Sequence, residues 1–95
     1  MYYLTENNDI ISDEEKEKMN VSNNFKKQSE NAFDLIEVGD LVKRKHKNEI
    51  DILDVNEIYL KNLQSNEYNY LKKEIIAIYK PNEKGDYIKV WEVKR

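Results

Sequence analysis

The residues best equipped for chemistry crowd into one short segment. Lys43-Arg44-Lys45-His46-Lys47 sets four fixed positive charges and the chain's one histidine in five consecutive positions. Lys43, Arg44, Lys45 and Lys47 form a candidate phosphate-neutralising set, with tyrosines nearby to stack on bases. Read as a strand, however, the run alternates faces, so only about half of it can meet one surface. A solvated strand end that guards a sheet edge is the more ordinary role for such a run. The chain is also acidic overall, with a net charge of −3. Nucleic-acid binding is therefore the alternative here, not the leading expectation.

His46 has no orienting carboxylate in its local sequence, and hydrolases of the Ser-His-Asp type need one. It reads as a surface residue. Glu49, Asp51, Asp54 and Glu57 follow, and Glu49 and Asp51 share one face of an extended strand. Hard cations such as Mg²⁺ take oxygen ligands of this kind. Alternating polar positions on a half-exposed strand explain the same pattern, and no EF-hand spacing is present. Gly39 and Gly85, the only glycines, each sit where a turn needs one, so there is no Gly-rich phosphate loop. The absence of cysteine removes a thiolate nucleophile, a disulfide framework and a Cys-based zinc site. No catalytic residue, metal or cofactor is expected, and an enzyme is the least favoured class.

Binding residues are better represented. Residues 1–40 hold four lysines against ten carboxylates, whereas residues 41–95 hold twelve Lys and Arg against nine. The acidic excess gathers at Asp9, Asp13, Glu14, Glu15 and Glu17. Such a set can stand in for nucleic-acid phosphates on a basic protein surface. Seven tyrosines and one tryptophan supply the side chains that dominate interface hot spots. Tyr68 and Tyr70, two apart beside the loop Gln64-Ser65-Asn66-Glu67, form a candidate aromatic face.

These residues need elements to hold them. Ninety-five residues predict one domain with an attached arm. Tyr2 to Thr5, an Asn/Asp-rich turn and Ile10-Ile11 read as a short hairpin. Ser12-Asp13-Glu14-Glu15 is a capping box, in which hydroxyl and carboxylate each satisfy the other residue's amide. Residues 13–18 carry no apolar side chain, so the helix they start is a solvated turn, ordered only if Ile11, Met19 or Val21 docks. Val21 to Gln28 reads as an edge strand or a linker. Ser29 is a candidate cap for a second short helix, Glu30 to Glu37, closed by Gly39 in a left-handed conformation.

From there the chain reads as five strands: Leu41–His46, Glu49–Val55, Glu57–Leu63, 74–80 and 86–93. The last two flank the turn Pro81-Asn82-Glu83-Lys84-Gly85. In the final strand Ile88 and Val90 point one way, and Tyr87, Trp91 and Val93 the other, which predicts cover on both faces. Short strands at this spacing predict a small antiparallel barrel. The fold class is thus mainly β with minor α, divided as an N-terminal arm (1–24) and a barrel domain (25–95). No apolar run approaches the roughly 18 residues that span a bilayer, and Met1-Tyr2-Tyr3 opens no signal peptide. An unpaired edge strand makes the choice between monomer and homodimer open.

Two segments carry a resemblance. Asp34-Leu35-Ile36-Glu37-Val38-Gly39-Asp40-Leu41-Val42 enters a strand after a short helix. Ile76-Ala77-Ile78-Tyr79-Lys80-Pro81-Asn82, then Gly85-Asp86-Tyr87-Ile88-Lys89-Val90-Trp91, forms a hairpin. Together they resemble small, mostly uncharacterised proteins encoded by phages and prophages of Gram-positive bacteria, over roughly residues 25–93. That resemblance implies an SH3-like barrel and a cytoplasmic setting in the host cell, with no catalytic residues to carry over. The leading expectation is a non-catalytic accessory protein that binds a host protein, such as a nuclease or defence complex, through its acidic and tyrosine side chains. Alternatives are nucleic-acid binding through Lys43–Lys47 and a sponge for a small signalling molecule.

Overall fold

The computed structural model describes residues 1–19 and 24–93. The N-terminal strands β1 (Tyr2–Thr5) and β2 (Ile10–Ser12) form the expected hairpin, with Asn8 at φ 63° in its turn. Asn enters that left-handed conformation more readily than most residues, and here its side chain donates to the Pro81 carbonyl at 3.2 Å and accepts from Lys26 Nζ at 2.7 Å. Helix α1 (Asp13–Met19) follows, and its capping box is made: the Glu15 amide donates to Ser12 Oγ at 3.3 Å and the Ser12 amide to Glu15 Oε1 at 3.4 Å. Ile11 is buried and Met19 is exposed, so Ile11 supplies the docking contact. Val21 lies outside the described residues.

Strand β3 (Phe25–Ser29) pairs antiparallel with β1, giving a three-stranded sheet of order β2-β1-β3. This pairing joins residues on both sides of position 24. The short helix that follows is displaced from its expected start. Asn31, not Ser29, caps a 3₁₀ turn at Ala32–Leu35, because Ser29 is the last residue of β3 and its hydroxyl donates to Asp34 at 2.6 Å. Gly39 has φ 96°, as its place at the turn requires.

Strands β4 (Leu41–His46) and β5 (Glu49–Asp54) make a hairpin in register over six residues, with Lys47 at φ 56° in the turn. The next run corrects the sequence expectation: Glu57–Leu63 is helix α2, not a strand. Asn56 caps it, accepting the Tyr59 amide at 2.8 Å. A 3₁₀ turn (Asn66–Tyr68), in and just after the expected loop Gln64–Glu67, leads into α3 (Asn69–Glu74). Strands β6 (Ile75–Pro81) and β7 (Tyr87–Glu92) form the expected C-terminal hairpin. The second sheet has order β5-β4-β6-β7.

The molecule is therefore mainly β, built of two antiparallel sheets that do not close into a barrel. Loss of the third of the five expected strands to α2 leaves four, and both ends of that sheet stay open. One core unites the parts: Leu4 and Ile10 from the first sheet, Leu35 and Ile36, and Val42, Ile75 and Ile78 from the second, closed by Leu63 of α2.

Bulges decide which side chains reach that core. Val90 is an extra residue in β7, so Trp91 pairs with Ile78 and Ile88 with Lys80. The shift turns Trp91 onto the core side, where it meets Phe33 edge to face at 5.3 Å. A strict two-residue alternation had put Trp91 opposite Ile88, and a bulge breaks that alternation. The double cover expected for β7 is also absent: Tyr87, Ile88 and Val93 are exposed.

Candidate functional site

The two sheets present three contrasting surfaces. The first is acidic. The side of the first sheet that bears Tyr3 and Ile11 carries α1. Lys16 of α1 lies over the rings of Tyr3 and Phe25, at 4.6 and 5.4 Å, a cation–π arrangement. Its charge is thereby drawn inward, while Asp13, Glu14, Glu15 and Glu17 stay exposed. The four are not equivalent. Asp13 accepts the Tyr3 hydroxyl at 2.7 Å and faces the N-terminal ammonium at 3.2 Å, and both hold its carboxyl below the usual range. Glu15 is engaged in the cap. Glu14 and Glu17 have no ion pair or hydrogen bond among the described residues. Asp9, in the preceding turn, accepts the Ile10 amide at 2.9 Å; burial pushes its carboxyl up and Glu15 adds to the shift.

Tyr68 and Tyr70 do pack together, edge to face with centroids 6.2 Å apart. They belong to the 66–74 helical segment, which rests on α2, β4 and β6, whereas α1 rests on β2. The structure thus gathers the five carboxylates and sets the tyrosine pair on other elements.

The second surface is the outer face of the four-stranded sheet. The basic run divides as a strand must. Lys43 and Lys45 point outward, beside Ile52 and Ile50 of β5 and in the same face as Leu41 and Tyr79. Ile50 and Ile52 are 55% and 59% exposed. Arg44 and His46 point to the opposite face, and Lys47 stays in the turn. No feature of the basic run marked Ile50 and Ile52; only their place on an end strand, visible once the sheet order is known, makes them a surface.

The third is a charged cleft of about 280 Å³ lined by Arg44, His46, Glu49, Asp51 and Glu74. Arg44 donates twice to Asp51, at 2.9 and 2.6 Å, and holds that carboxyl below the usual range. His46 Nδ1 lies 3.2 Å from Glu74 Oε1, so the histidine does have a carboxylate partner. Twenty-eight positions separate the two, and helix α3 brings them together; local sequence holds no such signal. The Tyr59 hydroxyl is buried without a hydrogen-bond partner, and burial pushes its pKa up. No Ser, Thr or Cys lines the cleft, and Arg44 and His46 each have a carboxylate partner. Among the described residues no three His, Cys, Asp or Glu side chains converge to hold a metal. A further cleft of about 250 Å³ opens where β2 and β7 approach, lined by Tyr2, Ile10, Trp91 and Lys89 among others. No helix among the described residues is long and apolar enough to cross a membrane.

Comparison with protein-family models, with curated proteins and with solved structures finds no match to this chain.

Proposed function

We propose that the chain is a non-catalytic binding protein, an accessory factor of phage or prophage origin, that occupies a basic site on a host protein such as a nuclease or defence complex. One observation carries this: α1 turns Lys16 onto aromatic rings and leaves Asp13, Glu14, Glu15 and Glu17 facing out. Asp13 is matched to the N-terminal ammonium and Lys18 is also exposed, so Glu14 and Glu17 carry the free charge that steers toward basic surfaces and competes with polyanions there. Host cytoplasm is the setting this role requires. The SH3-like relation belongs to the same proposal. Register breaks occur in β6 and β7, and bulges of this kind are common at the rims of barrels, which supports it.

The test is charge reversal rather than removal of the arm, because Leu4 and Ile10 help form the core. Wild-type chain and the Glu14→Lys/Glu17→Lys variant are used as bait in host lysate, at low and high salt, with and without a competing polyanion. A basic host protein retained by wild type, released by polyanion and lost by the variant is the expected result. Equal recovery by both baits overturns it.

Nucleic acid is the second reading. Lys43 and Lys45 stand on one sheet face with Tyr79. Retention of single-stranded oligonucleotide at low salt, abolished by Lys43→Glu/Lys45→Glu, would favour it over the first.

A further inference from the structure

Among the described residues four strands end a sheet, and three of them are blunted. β2 is three residues long, β3 carries Lys26 and Lys27, and β7 is bulged at Val90. Short length, lysines and bulges are the usual devices against unwanted pairing. β5 has none of them. It pairs with β4 over six residues without a register break, contains no Pro or Lys, and exposes all its side chains except that of Leu53. Its charges are the carboxylates of Glu49, Asp51 and Asp54, with Asp51 held by Arg44, and its outer face exposes Ile50 and Ile52; a regular, uncovered edge is a template for another strand.

The geometry points to a second copy of this chain as the occupant: β5 of one protomer pairs antiparallel with β5 of its partner about a twofold axis through Asp51. In that register Ile50 stands opposite the partner's Ile52, and Ile52 opposite the partner's Ile50. Lys45 is already the β4 neighbour of Ile50, and Lys43 that of Ile52. Each outer row across the joined sheet therefore reads Lys-Ile-Ile-Lys. Apolar side chains meet at the centre and four lysines frame them.

On the other face the central row reads Arg-Asp-Asp-Arg. Two carboxylates meet at the axis, and each arrives neutralised by its own Arg44 through two hydrogen bonds. Moving the axis to Ile52 would set Ile50 against the partner's Asp54 and lose this complementarity. A one-residue slip would put outer side chains opposite inner ones. A pairing of five residues on each strand (49–53, with Glu49 opposite the partner's Leu53) lies at the small end of specific interfaces, so the dimer is weak. It is independent of the acidic helix.

The experiment uses the purified full chain alone. Sedimentation equilibrium from micromolar to millimolar concentration is expected to show reversible dimerisation in wild type. Ile50→Lys/Ile52→Lys is expected to be monomeric with an unchanged thermal melt, since both side chains are exposed. Because the chain lacks Cys, single Ile50→Cys and Ile52→Cys proteins report register. Mixed and oxidised, they should give disulfide dimers in clear excess over either protein alone. Wild type that stays monomeric, a dimer that survives the double lysine substitution, or homodisulfides as abundant as mixed ones would each overturn the proposal.

Discussion

Lys80 is the side chain whose role the sequence concealed most completely. It is 1% exposed, with Nζ 2.5 Å from Asp40 Oδ2 and 3.0 Å from Glu37 Oε1. Asp40 also accepts the Glu37 amide at 2.8 Å. Burial pushes the Asp40 carboxyl up, while Lys80 and that amide pull it back. In sequence Lys80 merely flanks a hairpin turn, and its partners lie 40 and 43 positions away. Breaking a buried pair by removing one member leaves the other charge stranded, at a cost of about 3–5 kcal/mol. Lys80→Met should lower unfolding free energy by roughly that amount in a urea titration, and adding Asp40→Asn should recover part of the loss. Asp13 and Asp51 behave differently. Each has a folded pKa lowered by a hydrogen-bonded partner, so the unfolded chain binds the proton more readily in the window just below the ordinary Asp value. Stability is thus full above that value and falls as pH drops through the folded pKa values. Denaturation midpoints measured from pH 6 downward should decline on acidification, and Asp51→Asn should flatten the decline.

At the scale of elements, α2 teaches the most. A strand over Glu57–Leu63 puts Ile58 and Leu60 on one face and Tyr59 and Leu63 on the other. The helix instead turns Ile58 out, 73% exposed, and packs Tyr59, Leu60 and Leu63 inward. β-branched and aromatic residues favoured the strand assignment, but Asn56 three positions before Tyr59 was a readable helix start. Asn56→Ala should cost about 1 kcal/mol by loss of that cap. Leu63→Ala should cost about 2–5 kcal/mol, and Ile58→Ala far less. Urea titrations of the three variants would show the helical order, and equal losses at 58 and 63 would contradict it. The β1–β2, β4–β5 and β6–β7 hairpins were legible because their turn chemistry and apolar runs are local. The bulges at Val90 and Ile76 were not, since they arise only when one strand is fitted against another.

At the scale of the whole molecule, the missed pairing of β1 with β3 matters most. Val21 to Gln28 reads as an edge strand or a linker, and β3 is an edge strand; the segment is too polar for the sequence to choose between the two, and its partner lies at the far end of the hairpin and helix. The acidic residues of the candidate surface were legible from composition, but the inward turn of Lys16 was not, because it depends on rings 9 and 13 positions away in sequence, brought together by that same pairing. Since Leu4 and Ile10 share the core with Val42 and Ile78, a fragment starting at residue 25 should lose cooperative unfolding and bind a hydrophobic dye. Leu4→Ala in the full chain should cost about 2–5 kcal/mol. A fragment that melts sharply, like the full chain, would contradict a shared core. The crossover through α2 and α3 carries a kinetic consequence. The β4–β5 and β6–β7 ribbons can each zip from their own turns on a microsecond scale. The ladder between β4 and β6 must await closure of the far longer intervening loop, whose entropy is lost before any contact repays it. Refolding should therefore wait on the meeting of two preformed ribbons, and until they meet each carries an open flank to which a stray chain can add.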